Sequence, residues 1–196
     1  DDADDVYGKI FDFFKSKEIG YFFYIGGNDS MDTVAKLSSY AEKKGICDVH
    51  FIGVPKTIDC DLCGTSHTPG YGSAAKYIAT TMQEILRDTA VYTVKAVTIV
   101  EIMGRDAGWL TAAAALPRIL SSTAPDYVYL PEAIFDTESF FHDIEKAFEK
   151  HPNVVIAVSE GIRGSDGKYV GESAQSGVSD AFGHRYLQGT AKSLEL

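Results

Sequence analysis

The chain has 196 residues, 45% of them hydrophobic, and a formal charge of −10. It is long and apolar enough for one substantial core, and too acidic for a general nucleic-acid binder, which needs a cationic stripe to displace counterions from phosphate. Its apolar runs are too short to cross a bilayer, its opening DDADDVYGKI lacks the basic start and apolar stretch of a signal peptide, and its three cysteines are too few for a disulfide framework. A reduced, cytoplasmic setting is the expectation.

Apolar positions Val6, Ile10, Phe13 and Phe14 predict a helix ending near Gly20. YFFYI (21–25) reads as a buried strand that runs into GGNDS. MDTVAKLSSYAEKKG then returns to helical spacing, with basic residues and a glycine at its end. The alternation continues through strand 49–54, a helix from about 72 to 87, strand 96–102, helix GWLTAAAAL, strand 127–130, helix ESFFHDIEKAFEK and strand 154–158. RGSDGKYVGE (163–172) reads as an exposed hairpin or loop, and no linker or boundary interrupts the run. Strands and helices in this order predict an α/β fold, a three-layer sandwich with a mostly parallel sheet. In such folds ligands gather at the carboxyl ends of the strands.

The strand exits read GGNDS, PKTIDCD, MGRDAG, PEA and SEGIRG, so glycines, acids and single cations cluster where the apolar strands end. In GGNDS the glycines let a ligand approach the backbone and the helix start offers amides to an anion, or Ser30 is simply an N-cap and Asn28 and Asp29 shape a turn. In KTIDCD an unbent backbone puts Thr57, Asp59 and Asp61 on one side and Lys56 on the other. One carboxylate can accept a proton while the other holds a divalent cation, with Lys56 stabilising charge on a transferred phosphoryl group, or the segment is a solvated surface turn. HTPGYGSAAKYIA adds a glycine-rich helix start in which Ser73 meets phosphate or caps the helix. Met103-Gly104-Arg105 follows an apolar strand, and Arg105 can fork onto phosphate while Asp106 caps the next helix. Glu160 can accept hydrogen bonds from a sugar hydroxyl. His184 stands alone, and lone histidines are more often structural. Cys60 and Cys63 have zinc-ligand spacing without the second pair that a zinc site needs.

Taken in order, GGNDS, PKTIDCD, PGYGSAAKYIA, EIMGRDAGWLTA, PE, SEG and FGH resemble the phosphofructokinase family from about Tyr21 to His184. The resemblance implies phosphorylation of fructose 6-phosphate at its 1-hydroxyl, with Mg²⁺ as cofactor. It makes Asp59 the proton acceptor, with Thr57, Ile58 and Asp61 beside it. Met103, Gly104 and Arg105 become sugar-phosphate residues, Arg105 also serving the migrating phosphoryl group, and Glu160 and His184 become further sugar contacts. Gly27, Asn28, Ser30 and Lys56 fall on the donor side, and Asn28 and Asp61 on the metal side.

In this family ATP-using members carry glycine where Asp29 and Lys56 stand, and pyrophosphate-using members carry aspartate and lysine. A carboxylate at 29 repels a nucleotide α-phosphate, and Lys56 stabilises a pyrophosphate leaving group, so pyrophosphate is the expected donor. The resemblance also implies a homo-oligomer, dimer or tetramer. It makes residues 1–196 the central portion of the catalytic region, lacking the family's opening phosphate loop and most of its second lobe. Two rivals stay in view: an ATP-dependent kinase, and a noncatalytic sugar-phosphate-binding or oligomer-building subunit suggested by Asn28 in place of a metal-linked aspartate and Cys60 in place of an asparagine.

Overall fold

The computed structural model describes residues 2–172 and 189–195. The chain divides into two compact units. The first runs through Thr57 and takes up Leu62–Thr68, and the second comprises Ile58–Asp61 and the chain from Pro69 onward. The uninterrupted alternation of strands and helices gave no sign of this division.

In the first unit α1 (Asp2–Ser16), β1 (Tyr21–Gly26), α2 (Asn28–Lys44) and β2 (His50–Pro55) form a two-stranded parallel sheet with helices packed on it. α1 stops before Gly20 because Glu18 turns into the left-handed region at φ +54° and the Ile19 amide closes on Phe14 O at 3.0 Å. α2 ends as its sequence predicts: Gly45 sits at φ +68°, where a Cβ would be strained, and Ile46 N–H returns to Ala41 O at 2.9 Å. Phe11, Leu37 and Ala41 form the buried centre, with Phe22 and Phe51 packed against it. YFFYI is therefore buried on one face only. Its alternate residues Tyr21, Phe23 and Ile25 are 66%, 60% and 66% exposed, which corrects the reading of a strand buried throughout.

The second unit holds a three-stranded parallel sheet of β3 (Ala96–Ile102), β4 (Tyr127–Tyr129) and β5 (Asn153–Ser159), ordered β3-β5-β4. α3 (Tyr71–Thr89) precedes it. The expected helix at GWLTAAAAL is broken into α4 (Trp109–Ala112), a 3₁₀ turn at Ala113–Ala115 and α5 (Pro117–Ser121); α6 (Thr137–Phe148) and α7 (Thr190–Ser193) complete the unit. β5 reads VVIAV because it is central and covered on both faces. Val154, Ile156 and Val158 pack among Phe140 and Ile144 of α6, while Val155 and Ala157 pack among Met82 of α3 and Leu110 and Ala114 of the α4 stretch. Parallel strands with flanking helices make the α/β arrangement that the sequence predicts, and the described strands pair as two hydrogen-bonded sheets.

Candidate active site

In the first unit, parallel pairing places Gly26 opposite Pro55, and Lys56 N–H donates to Gly26 O at 2.9 Å. The exits of β1 and β2 are therefore adjacent, with Gly27 entering α2 from one and Lys56 and Thr57 leaving the other. Gly26 admits no side chain, since a Cβ would fall 1.9 Å from Ser30 Oγ. Gly27 differs. Its φ is an ordinary −84°, and a Cβ would meet nothing nearer than Lys56 O at 3.7 Å, so internal packing would tolerate alanine there. What glycine preserves at 27 is an approachable backbone, just where the amides of 28–30 precede the first ladder bond, Met31 N–H to Gly27 O at 3.0 Å.

Ser30 is not the N-cap that one reading of the sequence gave it. Gly27 caps α2 without a side-chain bond, and Asn28, Asp29 and Ser30 form the helix's first turn rather than a preceding loop. Asp29 and Lys56 are both exposed. Thr57 is held through its carbonyl, which accepts the hydroxyl of the buried Thr68.

The chain passes into the second unit at Ile58 and bends there, which overturns the extended reading of KTIDCD. Ile58 and Asp59 form a turn, and Cys60 takes the left-handed conformation at φ +59°. Strict alternation of side chains past Thr57 is lost. The Oδ1 atoms of Asp59 and Asp61 are both shielded from solvent. Ile58 lies close to Gly70, which caps α3 at φ +89°, so Ser73 is within that helix and is not its cap.

The exits of β3 and β5 meet. Gly104 N–H donates to Glu160 Oε1 at 3.0 Å, and Gly104 O accepts the hydroxyl of the fully buried Ser159. Gly104 is at φ +143°, and a Cβ there would press on Ala107 O at 2.5 Å, so the tight turn after Met103 requires glycine. Gly108, not Asp106, caps α4, and its N–H donates to Glu132 Oε1 at 2.8 Å. Met103 is exposed and Arg105 half-buried.

Burial pushes the Glu160 carboxyl above its ordinary value. The Gly104 hydrogen bond and the Arg105 charge oppose that rise, and the charges of Asp59 and Glu101 add to it. The charges of Asp59 and Arg105 are thus both felt at Glu160 within the second unit. His184 lies outside the described residues. Ser159, Glu132 and Thr68, which fix the backbone, were not singled out in the sequence; Ser159 ends β5 and Glu132 closely follows β4, whereas Thr68 is remote from any strand exit.

Among the described residues, no cluster of three His, Cys, Asp or Glu side chains forms a metal cage. Mg²⁺ is ordinarily held by one or two carboxylates, with water and substrate phosphates completing its shell. The hard, shielded carboxylate oxygen of Asp61 fits that pattern.

Comparison with known proteins gives the same family. The chain is 44% identical over 190 residues to a pyrophosphate–fructose 6-phosphate 1-phosphotransferase of Halomonas elongata, covering 96% of this chain and 44% of the relative. It is 40% identical over 187 residues to the protein of the same description in Methylococcus capsulatus, covering 94% of this chain and 44% of the relative. The crystal structure of the pyrophosphate-dependent phosphofructokinase from Nitrosospira multiformis superposes with a TM-score of 0.71 at 41% identity, over 83% of this chain and 41% of that one. The chain thus spans less than half the length of these relatives. Residues 1–192 match the phosphofructokinase family profile, and the chain belongs to that family.

Proposed function

We propose that this chain is the central portion of a pyrophosphate-dependent 6-phosphofructokinase, which transfers a phosphoryl group from pyrophosphate to the 1-hydroxyl of fructose 6-phosphate. The observation that carries the choice of donor is the adjacency of the β1 and β2 exits, which sets Asp29 and Lys56 at the same end of one sheet. A carboxylate there repels the α-phosphate of a nucleotide, and an ammonium one strand away neutralises a compact inorganic leaving group. The names of the relatives support this reading.

In the reaction, the sugar hydroxyl oxygen attacks phosphorus, the bridging P–O bond of pyrophosphate breaks, and the hydroxyl proton passes to the Asp59 carboxylate. Arg105 stabilises the equatorial oxygens of the phosphoryl group in flight, and Lys56 the departing phosphate. Glu160, Met103, Gly104, Thr57, Ile58 and His184 orient the sugar phosphate, while Gly27, Asn28 and Ser30 line the donor. Asp61 and Asn28 would hold Mg²⁺, which when bound neutralises phosphate charge. The enzyme is read as a cytoplasmic homo-oligomer; among the described residues no helix is long and apolar enough to span a membrane.

Assay of the full-length protein with fructose 6-phosphate, Mg²⁺ and either donor tests the reading. Turnover is expected with pyrophosphate and not ATP. Lys56→Gly should lower pyrophosphate-dependent kcat/KM by about 10²–10³-fold, and Asp59→Asn should lower kcat by about 10²–10⁴-fold with a modest change in sugar KM. Turnover with ATP alone would reject the donor assignment, and an active Asp59→Asn would reject the proton acceptor.

A further inference from the structure

Two loops of the second unit, one after β3 and one after β5, are fastened together at four points around Arg105. Ser159 donates to Gly104 O, and Gly104 N–H donates to Glu160. Gly161 lies so tightly on the Arg105 carbonyl that a Cβ would come within 1.8 Å of its oxygen. The fourth point is made by side chains. The Arg163 guanidinium donates to the carboxylate of Asp106, the residue next to Arg105, and to the Tyr169 hydroxyl, and it lies 4.2 Å from the Tyr169 ring centroid.

Arg163 is anchored at its own end as well, for its carbonyl accepts Phe135 N–H at 2.8 Å. The Arg163 and Asp106 side chains are 40% and 54% exposed, so their ion pair adds little to stability. A planar guanidinium held between two oxygens and an aromatic face contributes direction instead. Its Nη2 group is spent on Asp106 and Tyr169 within the protein.

We propose that Arg163, acting through Asp106 and together with Tyr169, is a positioning residue for Arg105: it holds the 105–106 backbone in place so that the Arg105 guanidinium is set before the phosphoryl group arrives. This rests on the reading of Arg105 as the residue that stabilises the phosphoryl group in flight. The charge of Arg105 is felt at both Glu160 and Tyr169, which puts it beside this cluster. Without the staple the loop would have to order during the reaction, a cost that falls on kcat more than on sugar binding.

The test is a double-mutant cycle in the full-length enzyme with pyrophosphate, fructose 6-phosphate and Mg²⁺. Arg163→Gln and Asp106→Asn are each expected to lower kcat about 10- to 100-fold while the KM for fructose 6-phosphate moves less than about threefold. Arg163→Lys, which keeps the charge but loses the fork, should recover only part of the loss. In an Arg105→Ala background the same substitutions should cost almost nothing further, because the group they position is gone. Full, additive losses in that background would overturn the proposal, as would an unchanged kcat in Asp106→Asn, a near-isosteric change at an exposed side chain that serves if Arg163→Gln fails to fold. The single variant Arg105→Ala reads the underlying assignment separately. If it keeps normal turnover, the role of Arg105 fails; if it loses turnover while the cycle is additive, only the positioning role of Arg163 fails.

Discussion

A carboxyl held partly out of water keeps its proton longer than one in solution, and Glu160 is such a group, raised chiefly by burial and only partly brought back by the Gly104 amide and Arg105. Because its folded pKa lies above its unfolded one, the folded state binds the proton more tightly. The resulting stability is fully present below the unfolded pKa and is lost as pH rises through the folded value. Glu160→Gln keeps an oxygen for the Gly104 amide and removes the titration. The stability of the variant relative to wild type should therefore grow as pH rises from about 4 to about 7, where an ordinary glutamate would already be fully ionised. Chemical denaturation of both proteins across that range checks the point, and a pH-independent difference would refute it. At the same scale, Cys60 stands at φ +59°, a conformation that Asn tolerates better than most side chains and that costs an ordinary L-residue about 1–2 kcal/mol. The asparagine that the family resemblance places there is understandable on that ground alone. This bend is also what the sequence could not show. The residue types of PKTIDCD were legible as acid, base and cation, but the alternation that put Thr57, Asp59 and Asp61 on one side ends at the Ile58–Asp59 turn, which has no glycine or proline to mark it.

Within single elements, α4 carries an unusual defect. Thr111 is fully buried beside Leu110 and Ala114, yet among the described residues its hydroxyl has no hydrogen-bond partner. A buried hydroxyl without a partner bears its desolvation cost unrelieved, so an apolar group of the same shape is preferred there. Thr111→Val is expected to stabilise the protein by roughly 1 kcal/mol and to raise Tm by about 2–4 °C. Calorimetry decides it, and a lowered Tm would mean that the hydroxyl has a function. The elements themselves were largely legible because their periodicities are strong. β3 and β5 are near-continuous apolar runs, and α2 and α6 carry clear stripes with recognisable ends. α6 even has its side-chain cap, Asp136 accepting Ser139 N–H at 2.8 Å. Where reading failed, a local device had replaced the expected one. Glycines at 27, 70 and 108 cap the helices that Ser30, Ser73 and Asp106 had been read as capping, and GWLTAAAAL contains no residue that announces its 3₁₀ break.

At the scale of the whole chain, the division into two units and the separation of the strands into two sheets follow from which strands pair, and strand order is not written in periodicity. An apolar run such as YFFYI reports that a strand can be buried on both sides; it does not say by what. The β1–β2 sheet makes this concrete. One face rests on α1 and α2, while the other presents the paired rows Tyr21 with His50, Phe23 with Ile52 and Ile25 with Val54. Phe23 and Ile25 there are 60% and 66% exposed and Val54 is 39% exposed. Parallel sheets are ordinarily covered on both faces, and a contiguous apolar patch in water is unusual for a stable monomer. The 196-residue chain by itself should therefore bind a hydrophobic dye such as anilinonaphthalene sulfonate in its folded state. Phe23→Lys, which places a charge at the centre of the patch and leaves the α1–α2 face untouched, should reduce that fluorescence severalfold with little loss of secondary structure by circular dichroism. Dye binding that is absent in the wild type, or unchanged in the variant, would mean that this face is covered in solution.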